Sequence, residues 1–369
     1  MKLLLVLVGL IAVLLGAVVY HDGAPSSPND FATPASSADG IQQTRTYARI
    51  VERVPIHHEH FEAWLYLPLP VPATKPPVII MGPGLAAQKD FAGLTAYAER
   101  FVAEGWAVFL FDYRNFGRSE GRPRNLIDPI RHVQDYHAAI VHVVNTNITE
   151  KVDVTRMALW GSSFSGGHVL VTASEFEAAV KAYPLNYILN QRPEHVNRTK
   201  PQLKAVFSQV PHLDPYAVIP TLNLLQVARG FALAIADWIG SWFGLNVYVR
   251  IYASPAEVAI MNTPEAVEYG HLVPEKPVGG WVNKAPARSI LYVSRYRPLD
   301  YVASIATPTL MIVANHDTLC PITAANEAEK LLANGKVLKY DVGHFDFYEG
   351  KPHFEETLEH QIRFFREHL

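Results

Sequence analysis

The chain has 369 residues, of which 49% are hydrophobic and 18% are charged, with a formal net charge of −3. This composition suits a globular domain with a large core, and the sequence shows no internal repeat or heptad run. The slight acidic balance gives no basic signal, so we expect no nucleic-acid partner. A single cysteine, Cys320, excludes an intrachain disulfide bond.

The N-terminal segment differs in composition from the rest of the chain. Leu3 to Tyr20 form an unbroken apolar run, which predicts that residues 1–20 are a signal peptide or a transmembrane anchor. Residues 21–45 are rich in Pro, Ser, Ala and Asp and are predicted to form a flexible linker. The remaining residues, 46–369, are predicted to form the folded domain.

Either version of the N-terminal segment would send this domain across a membrane. We therefore expect a secretory-pathway protein, secreted or membrane-anchored outside the cytosol, with membrane contact through the N-terminal segment. Asn147-Ile-Thr149 and Asn197-Arg-Thr199 are glycosylation sequons, which fit a glycoprotein on this route.

The first part of the domain alternates between strand and helix patterns. The predicted strands are Arg45 to Arg53, Phe61 to Leu67, Pro77 to Met81 and Trp106 to Phe111, and the predicted helices are Phe91 to Glu104 and Pro129 to Val144. The first two strands form an antiparallel hairpin. The alternation that follows predicts a parallel sheet with helices on both faces.

An apolar run at Met157 to Trp160 ends in a stretch of glycine and serine residues, and a helix is predicted from there to about Ala182. A strand, a sharp turn and a helix would place the Ser163 hydroxyl at the tip of the turn, where it can act as a nucleophile. Ser162 and Ser165 are alternative nucleophiles. Ser165 also stands where the usual Gly-x-Ser-x-Gly pattern has its second glycine.

The next predicted strand, Lys204 to Val210, is followed by residues 215–303, which interrupt the alternation and are predicted to form a mainly helical cap. Within the cap, Leu222 to Phe243 is a long apolar helical segment. We expect its apolar face to pack on the core. Lining an apolar pocket or touching a lipid surface are the alternatives.

Two further polar residues follow predicted strands. Asp317 comes after the strand Thr307 to Ala314, and His344 comes after the strand Lys336 to Val342. A nucleophilic serine needs a base and an orienting acid, and parallel strands bring such residues to one edge of a sheet. Asp214 is a second candidate acid, whereas Asp346 is expected to be structural.

A competing pattern follows the strand that ends at Met81. Gly82, Gly84 and Ala87 have the spacing of a dinucleotide-binding fingerprint, and Asp112 ends the next strand. Pro83, however, removes a backbone N–H from the loop that would hold a pyrophosphate. We therefore expect no cofactor and, with Cys320 interpreted as a small buried residue, no metal.

Taken together, these motifs resemble the α/β-hydrolase superfamily, its esterase-like and peptidase-like members in particular. The resemblance rests on Gly161-Ser-Ser-Phe-Ser-Gly-Gly-His168, Gly343-His-Phe345 and Asp112-Tyr-Arg-Asn-Phe-Gly117, in family order. It implies an α/β-hydrolase fold: a mostly parallel central sheet, helices on both faces and a cap. It also implies that the backbone N–H groups of Leu85 and Phe164 form an oxyanion hole.

The resemblance implies a serine hydrolase with the triad Ser163, His344 and Asp317. We expect a serine esterase that cleaves a small-molecule carboxylic ester with an apolar group. A peptidase of the same fold is one alternative. A non-catalytic binding protein on a hydrolase scaffold is another. The sequence leaves the oligomeric state open.

Overall fold

The computed structural model describes residues 42–91, 93–182 and 200–369. The strands in chain order are β1 (Gln42–Gln43), β2 (Tyr47–Ile56), β3 (Glu59–Pro68), β4 (Pro77–Gly82), β5 (Ala107–Phe111), β6 (Asp153–Ser162), β7 (Leu203–Gln209), β8 (Tyr248–Tyr252), β9 (Ala259–Met261), β10 (Ala285–Pro286), β11 (Thr309–Ala314) and β12 (Gly335–Tyr340). Nine of them form one sheet in the order β1-β2-β3-β5-β4-β6-β7-β11-β12.

The larger sheet is mostly parallel. Strands β5, β4, β6, β7, β11 and β12 run parallel to one another, whereas β1, β2 and β3 join through antiparallel pairs, β3 pairing with β5. The six parallel strands therefore present their C-terminal ends at one edge of the sheet. This architecture confirms the predicted sheet.

Helices cover both faces of the sheet. The helices in chain order are α1 (Leu94–Ala103), α2 (Pro129–Asn145), α3 (Phe164–Ala182), α4 (Leu224–Ser241), α5 (Ser289–Val293), α6 (Ile322–Leu331) and α7 (Phe354–His368), of which α4 and α5 belong to the cap. Val78 and Ile80 of β4 are buried in a cluster with residues of α2, α3 and α6. Ile79 and Met81 are buried in a second cluster with residues of α1 and α7. Because side chains alternate along a strand, the two clusters lie on opposite faces, as predicted.

Local chemistry sets where the helices begin. The Asp128 side chain accepts hydrogen bonds from the N–H groups of Ile130 and Arg131, and Pro129 occupies the first turn, so α2 begins where the sequence indicates. Helix α1 begins at Leu94, later than predicted. Gly93 has a φ of 91°, which lies outside the helical region, so the helix cannot begin before Leu94.

The predicted cap combines helices with a small sheet that the sequence does not reveal. Helices α4 and α5 and two further 3₁₀ segments accompany three short strands in the order β10-β8-β9. The cap is fastened to the core by hydrogen bonds from Asn125 Nδ2 to the carbonyl oxygens of Val282 (3.1 Å) and Lys284 (2.9 Å). The strands of the small sheet are spread over residues 248–286. A periodicity read over a few residues cannot predict that they pair.

The expectation that the apolar face of α4 packs on the core is wrong. Trp238 and Ile239 are 42% and 41% exposed, and Trp242, directly after the helix, is 66% exposed. On its inner face the helix instead buries Gln226 and Asp237 together with Gly230, Leu233 and Ala234. Asp237 is paired there with Arg288, and Leu233 packs in a small cap cluster with Val249 and Ala287, so polar and apolar contacts together hold this helix to the rest of the cap.

The predicted N-terminal segment, residues 1–20, and the sequon at 197–199 lie outside the described residues. So does most of the predicted linker, 21–45, but its end differs from the expectation. Gln42 and Gln43 pair with β2, and the Thr44 hydroxyl accepts N–H bonds from Thr46 and Tyr47, which turns the chain into β2. Within the described ranges, no helix has the length and hydropathy needed to cross a membrane.

Candidate active site

Ser163 lies between β6 and α3, at the C-terminal edge of the sheet. Its φ is 60°, a left-handed conformation that is uncommon for a residue with a side chain. Its N–H donates to Gln209 O (2.8 Å) and its carbonyl accepts from His212 N (3.0 Å), so the neighbouring strand holds this backbone. At Gly161 a Cβ would lie 2.3 Å from Ser165 O, so this sharp turn requires glycine there. The predicted strand–turn–helix geometry is present.

The two alternative serines have other partners. The Ser162 hydroxyl lies 2.8 Å from Tyr348 Oη. The Ser165 hydroxyl lies 2.6 Å from Tyr136 Oη and accepts from Tyr113 Oη at 3.2 Å. Both serines are buried. Serine is therefore accommodated at the second glycine position because two tyrosines bind its hydroxyl.

His344 and Asp317 lie beside Ser163, each in the loop after a strand. His344 Nε2 is 3.0 Å from Ser163 Oγ, and His344 Nδ1 is 2.6 Å from Asp317 Oδ2. Asp317 Oδ1 also accepts the N–H groups of Leu319 (2.8 Å) and Cys320 (2.6 Å), which fixes the carboxylate. The structure thus brings the three predicted residues into one hydrogen-bonded chain from hydroxyl to imidazole to carboxylate.

The environment of His344 makes it a stronger base than an ordinary histidine. Burial alone would lower the pKa of the imidazole, but the charge and hydrogen bond of Asp317, together with the charge of Glu265, outweigh burial. The pKa of His344 is therefore raised above 6.5. An imidazole that is more basic accepts a proton from Ser163 more readily, provided that the ring is neutral at the working pH.

The other two carboxylates considered from the sequence have different partners. Asp214 Oδ2 accepts from Arg297 Nε (3.0 Å), and its Oδ1 accepts from Tyr216 N (2.8 Å). Asp346 Oδ2 accepts from Gly343 N (2.8 Å) and so shapes the histidine loop. Asp346 thus has the structural contact that we expected.

The loop after β4 packs against the turn that carries Ser163. A Cβ at Gly84 would lie 3.4 Å from Ser163 Cβ, so the two backbones approach closely. The carbonyl of the next residue, Leu85, accepts from Tyr269 Oη at 2.7 Å, which anchors the loop to the cap. Phe164 is the first residue of α3, so its N–H has no partner one turn earlier within the helix. Leu85 lines the same pocket as Ser163, and Phe164 follows Ser163 directly in the chain. Their N–H groups remain the predicted oxyanion donors.

A small, partly open pocket adjoins Ser163 and His344. Its walls are mostly apolar and come from three parts of the fold: Phe91 and Leu94 near α1, Met261, Tyr269 and Leu272 of the cap, and Tyr348 after the histidine loop. The residues predicted from the cap helix, such as Trp238, are not among those that line it. Apolar walls beside a nucleophile favour a substrate group of low polarity.

Glu265 is a residue of the site that motif analysis missed. It lies in the 3₁₀ segment Pro264–Leu272 of the cap. Its Oε1 accepts from His344 N (2.9 Å), and its Oε2 accepts from Thr318 N (2.6 Å) and Thr318 Oγ1 (2.7 Å). One cap carboxylate thereby joins the acid loop to the histidine loop. No local sequence signal marks it, because its partners lie more than 50 residues away.

A metal ion has one set of candidate ligands in the described part of the chain. One ligand atom each of Asp317, Cys320 and His344 lies within 4.8 Å of the others. Asp317 and His344 already bond to each other, and burial raises the pKa of the Cys320 thiol well above its ordinary value. A neutral thiol is a poor ligand, so this arrangement fits a hydrogen-bond chain better than a metal site.

Asp112, the carboxylate of the competing dinucleotide-binding pattern, is also bound by another side chain. Asp112 Oδ1 accepts from Lys89 N at 2.7 Å, and its Oδ2 binds the Lys89 ammonium group. Lys89 lies 3.0 Å from Glu62 as well, and all three side chains are buried. Asp112 is therefore part of a buried ion-pair network.

Comparisons with known proteins agree with this geometry. The family model described as alpha/beta hydrolase fold matches residues 77–234. The quorum-quenching protein AidA of Acinetobacter baumannii is 35% identical over 306 residues, which cover 82% of this chain and 90% of that protein. A polyketide transferase, grgF, of a Penicillium species is 36% identical over 215 residues, which cover 51% of this chain and 70% of that protein.

Solved structures show the same fold. The crystal structure of the alpha/beta hydrolase GrgF from Penicillium matches with a TM-score of 0.64 and 22% identity, over 87% of this chain and 98% of that one. The fold, the family model and the relative matched over most of both chains lead to one conclusion. This chain belongs to the α/β-hydrolase family.

Proposed function

We propose that the protein is a serine hydrolase that cleaves carboxylic esters bearing an apolar group. The observation that carries this proposal is the hydrogen-bonded chain Ser163–His344–Asp317 beside a small, mostly apolar pocket. A scaffold used for binding alone would not need the direct 3.0 Å contact between Ser163 Oγ and His344 Nε2. This contact therefore supports the enzyme over the non-catalytic alternative.

The reaction follows from the roles of these groups. Ser163 Oγ attacks the acyl carbonyl while His344 Nε2 takes its proton, and Asp317 stabilises the resulting imidazolium. The N–H groups of Leu85 and Phe164 bind the oxyanion, which typically lowers such a barrier by about 3–4 kcal/mol. His344 then protonates the leaving alcohol. Water, activated by the same imidazole, releases the acid from Ser163.

The choice of an ester rests on the pocket and on the relatives. The pocket walls suit an acyl chain or apolar alcohol better than the charged amino terminus that an aminopeptidase would bind. Among the relatives, one is named a thiohydrolase and others are named polyketide transferases, so both hydrolysis and group transfer occur among their names. Hydrolysis requires no further acceptor site, and for this reason we propose it here.

The experiment is a chain-length series of p-nitrophenyl esters with the full chain and with Ser163→Ala. We expect hydrolysis that rises from acetyl to a medium acyl chain and is lost in Ser163→Ala. Ser174→Ala is the matched control, because its hydroxyl bonds locally to Val171 O at 2.7 Å. Equal hydrolysis by wild type and Ser163→Ala would refute the proposal. Faster cleavage of aminoacyl amides than of esters would favour the peptidase.

We also propose that residues 1–20 direct the domain across a membrane, as a signal peptide or an anchor. The apolar run from Leu3 to Tyr20 supports this, and Asn147 is exposed and open to glycosylation in a cell that carries out that modification. Protease protection of the expressed full chain in sealed vesicles tests the proposal. A domain digested from the cytosolic side would contradict it.

A further inference from the structure

The outer face of α4 takes no part in the proposed reaction. Six large apolar side chains share this face, which we name the apolar cap face: Leu225, Phe231, Ile235, Trp238, Ile239 and Trp242. Their exposed fractions range from 36% for Phe231 to 66% for Trp242. Phe243 and Leu245 extend it, at 74% and 65%. Contiguous apolar surface of this kind on a folded protein marks an interaction site.

The inner side of the helix carries two buried polar side chains, Gln226 and Asp237, beside the buried Leu233 and Ala234. Asp237 is buried, where Oδ2 accepts from Arg288 N (2.9 Å) and from the Arg288 guanidinium (3.1 Å), and Gln226 Nε2 donates to Ala256 O (2.9 Å). These contacts fix the rotation of α4 about its axis. The apolar side is therefore held outward by the polar contacts of the inner side.

The apolar cap face is also poor in charge. Residues 215–247, all of them described by the structure, contain two charged residues, Arg229 and Asp237, and Asp237 is buried. At the C-terminal end of α4 the rings of Trp238 and Trp242 meet edge to face, with centroids 4.7 Å apart. Tryptophan is enriched where a bilayer meets water, because its ring is apolar and its N–H is polar.

We propose that the apolar cap face docks on the surface of a phospholipid bilayer. The chain outside the structure argues for this occupant over a protein partner. Residues 1–41 precede β1, and they hold the apolar run Leu3 to Tyr20, which is long enough to enter a bilayer. The 21 residues between Tyr20 and Gln42 can span at most about 75 Å, whatever their conformation. This tether keeps the domain close to the bilayer, which strengthens a weak surface contact.

The docking differs from that of a basic amphipathic helix. Such helices bind anionic lipids through Lys and Arg on a polar face, but the polar side chains of Gln226 and Asp237 in α4 are buried against the cap. Burial of apolar area alone then supplies the affinity. The apolar cap face should therefore bind zwitterionic phosphatidylcholine. This inference holds whether or not Ser163 cleaves esters.

The tryptophans of the chain provide the test. There are six, at positions 64, 106, 160, 238, 242 and 281, and none lies in residues 1–41. Trp64, Trp106 and Trp160 are buried, and the half-buried Trp281 donates to Ala86 O at 2.8 Å. In the docked state, bromine atoms on the lipid acyl chains would therefore quench the emission of Trp238 and Trp242.

The experiment places the full chain in phosphatidylcholine vesicles with brominated or ordinary acyl chains and compares tryptophan emission. We expect quenching by the brominated lipid for the wild type and its loss in Ile235→Glu/Ile239→Glu. The matched control is Val71→Glu/Leu331→Glu. Both of these residues are exposed and precede β4 and β12, so they lie towards the opposite edge of the sheet. Quenching should persist in this control.

Other results overturn the proposal. Wild-type emission that is the same in both vesicle types shows that the face does not meet lipid. If a concentration-dependent dimer accompanies that result, a second copy covers the face; without a dimer, another segment of the chain does. Quenching that survives unchanged in Ile235→Glu/Ile239→Glu, with both variants folded by circular dichroism, also refutes docking through this face.

Discussion

Glu265→Gln tests how the cap supports the triad. Three donors converge on the two carboxylate oxygens of Glu265: His344 N at 2.9 Å, and Thr318 N and Oγ1 at 2.6 and 2.7 Å. The glutamine amide has one acceptor oxygen instead of two. Its NH₂ group would therefore face one of these donors and could not accept a hydrogen bond from it. At least one charge-assisted bond is therefore lost, at a typical cost of about 1.5–3 kcal/mol.

The lower end of that range applies, because Glu265 is half-buried and solvent screens its charge. A loss of about 1.4 kcal/mol in transition-state stabilisation corresponds to roughly a tenfold fall in kcat/KM. Removing the negative charge also removes one of the contributions that raise the pKa of His344. Since the neutral imidazole is the active form, the acid limb of the pH profile should move to lower pH in the variant.

The assay is the pH dependence of kcat/KM for an ester of the full-length protein. Glu268→Gln is the matched control: Glu268 lies on the same 3₁₀ segment, and its partner is Lys351 Nζ at 3.1 Å on the surface. Exposed pairs of this kind contribute about 0–1 kcal/mol, so we expect a profile close to wild type. If Glu265→Gln and Glu268→Gln give the same profile, Glu265 does not position the histidine and our reasoning fails.

Three further outcomes follow from the same site. Asp317→Asn should lower kcat by roughly 10³–10⁴-fold with an unchanged far-UV spectrum, because the imidazole loses its charge partner; a fall below tenfold would contradict this role. Leu272→Trp should shorten the longest acyl chain hydrolysed and spare acetyl esters, and an unaltered chain-length profile would show that the pocket does not hold the acyl group. Ser165→Ala should reduce the free energy of unfolding in urea by about 1 kcal/mol, because Tyr136 loses a partner, while ester hydrolysis is kept.

The residues of the triad were predictable because each follows a strand. Ser163, Asp317 and His344 come directly after apolar, β-rich runs, and parallel strands bring such positions to one edge. The chain order Ser, acid, His fits both Asp317 and Asp214, and Asp317 was preferred because Asp317-Thr-Leu-Cys-Pro321 resembles the acid loop of the family. The structure gives the two carboxylates different partners: Arg297 binds Asp214, and His344 binds Asp317.

Two features of the cap, the orientation of α4 and the role of Glu265, could not be predicted from the sequence. The apolar stripe of α4 was correctly interpreted as a helix, but periodicity identifies a stripe without saying what lies against it. The orientation depends on the Asp237–Arg288 pair, whose members are 51 residues apart. Glu265 is hidden for the same reason, because its partners come from two loops that meet when the sheet forms. Such roles belong to the tertiary structure and leave no local pattern.

The central claim is that Ser163 is the activated nucleophile. Labelling of the full chain with a fluorophosphonate probe, followed by mass-spectrometric mapping of the modified residue, tests it most directly. We predict a single adduct on Ser163 that is absent in Ser163→Ala and retained in Ser165→Ala. An adduct on Ser165, or no adduct on folded wild-type protein, would contradict the account.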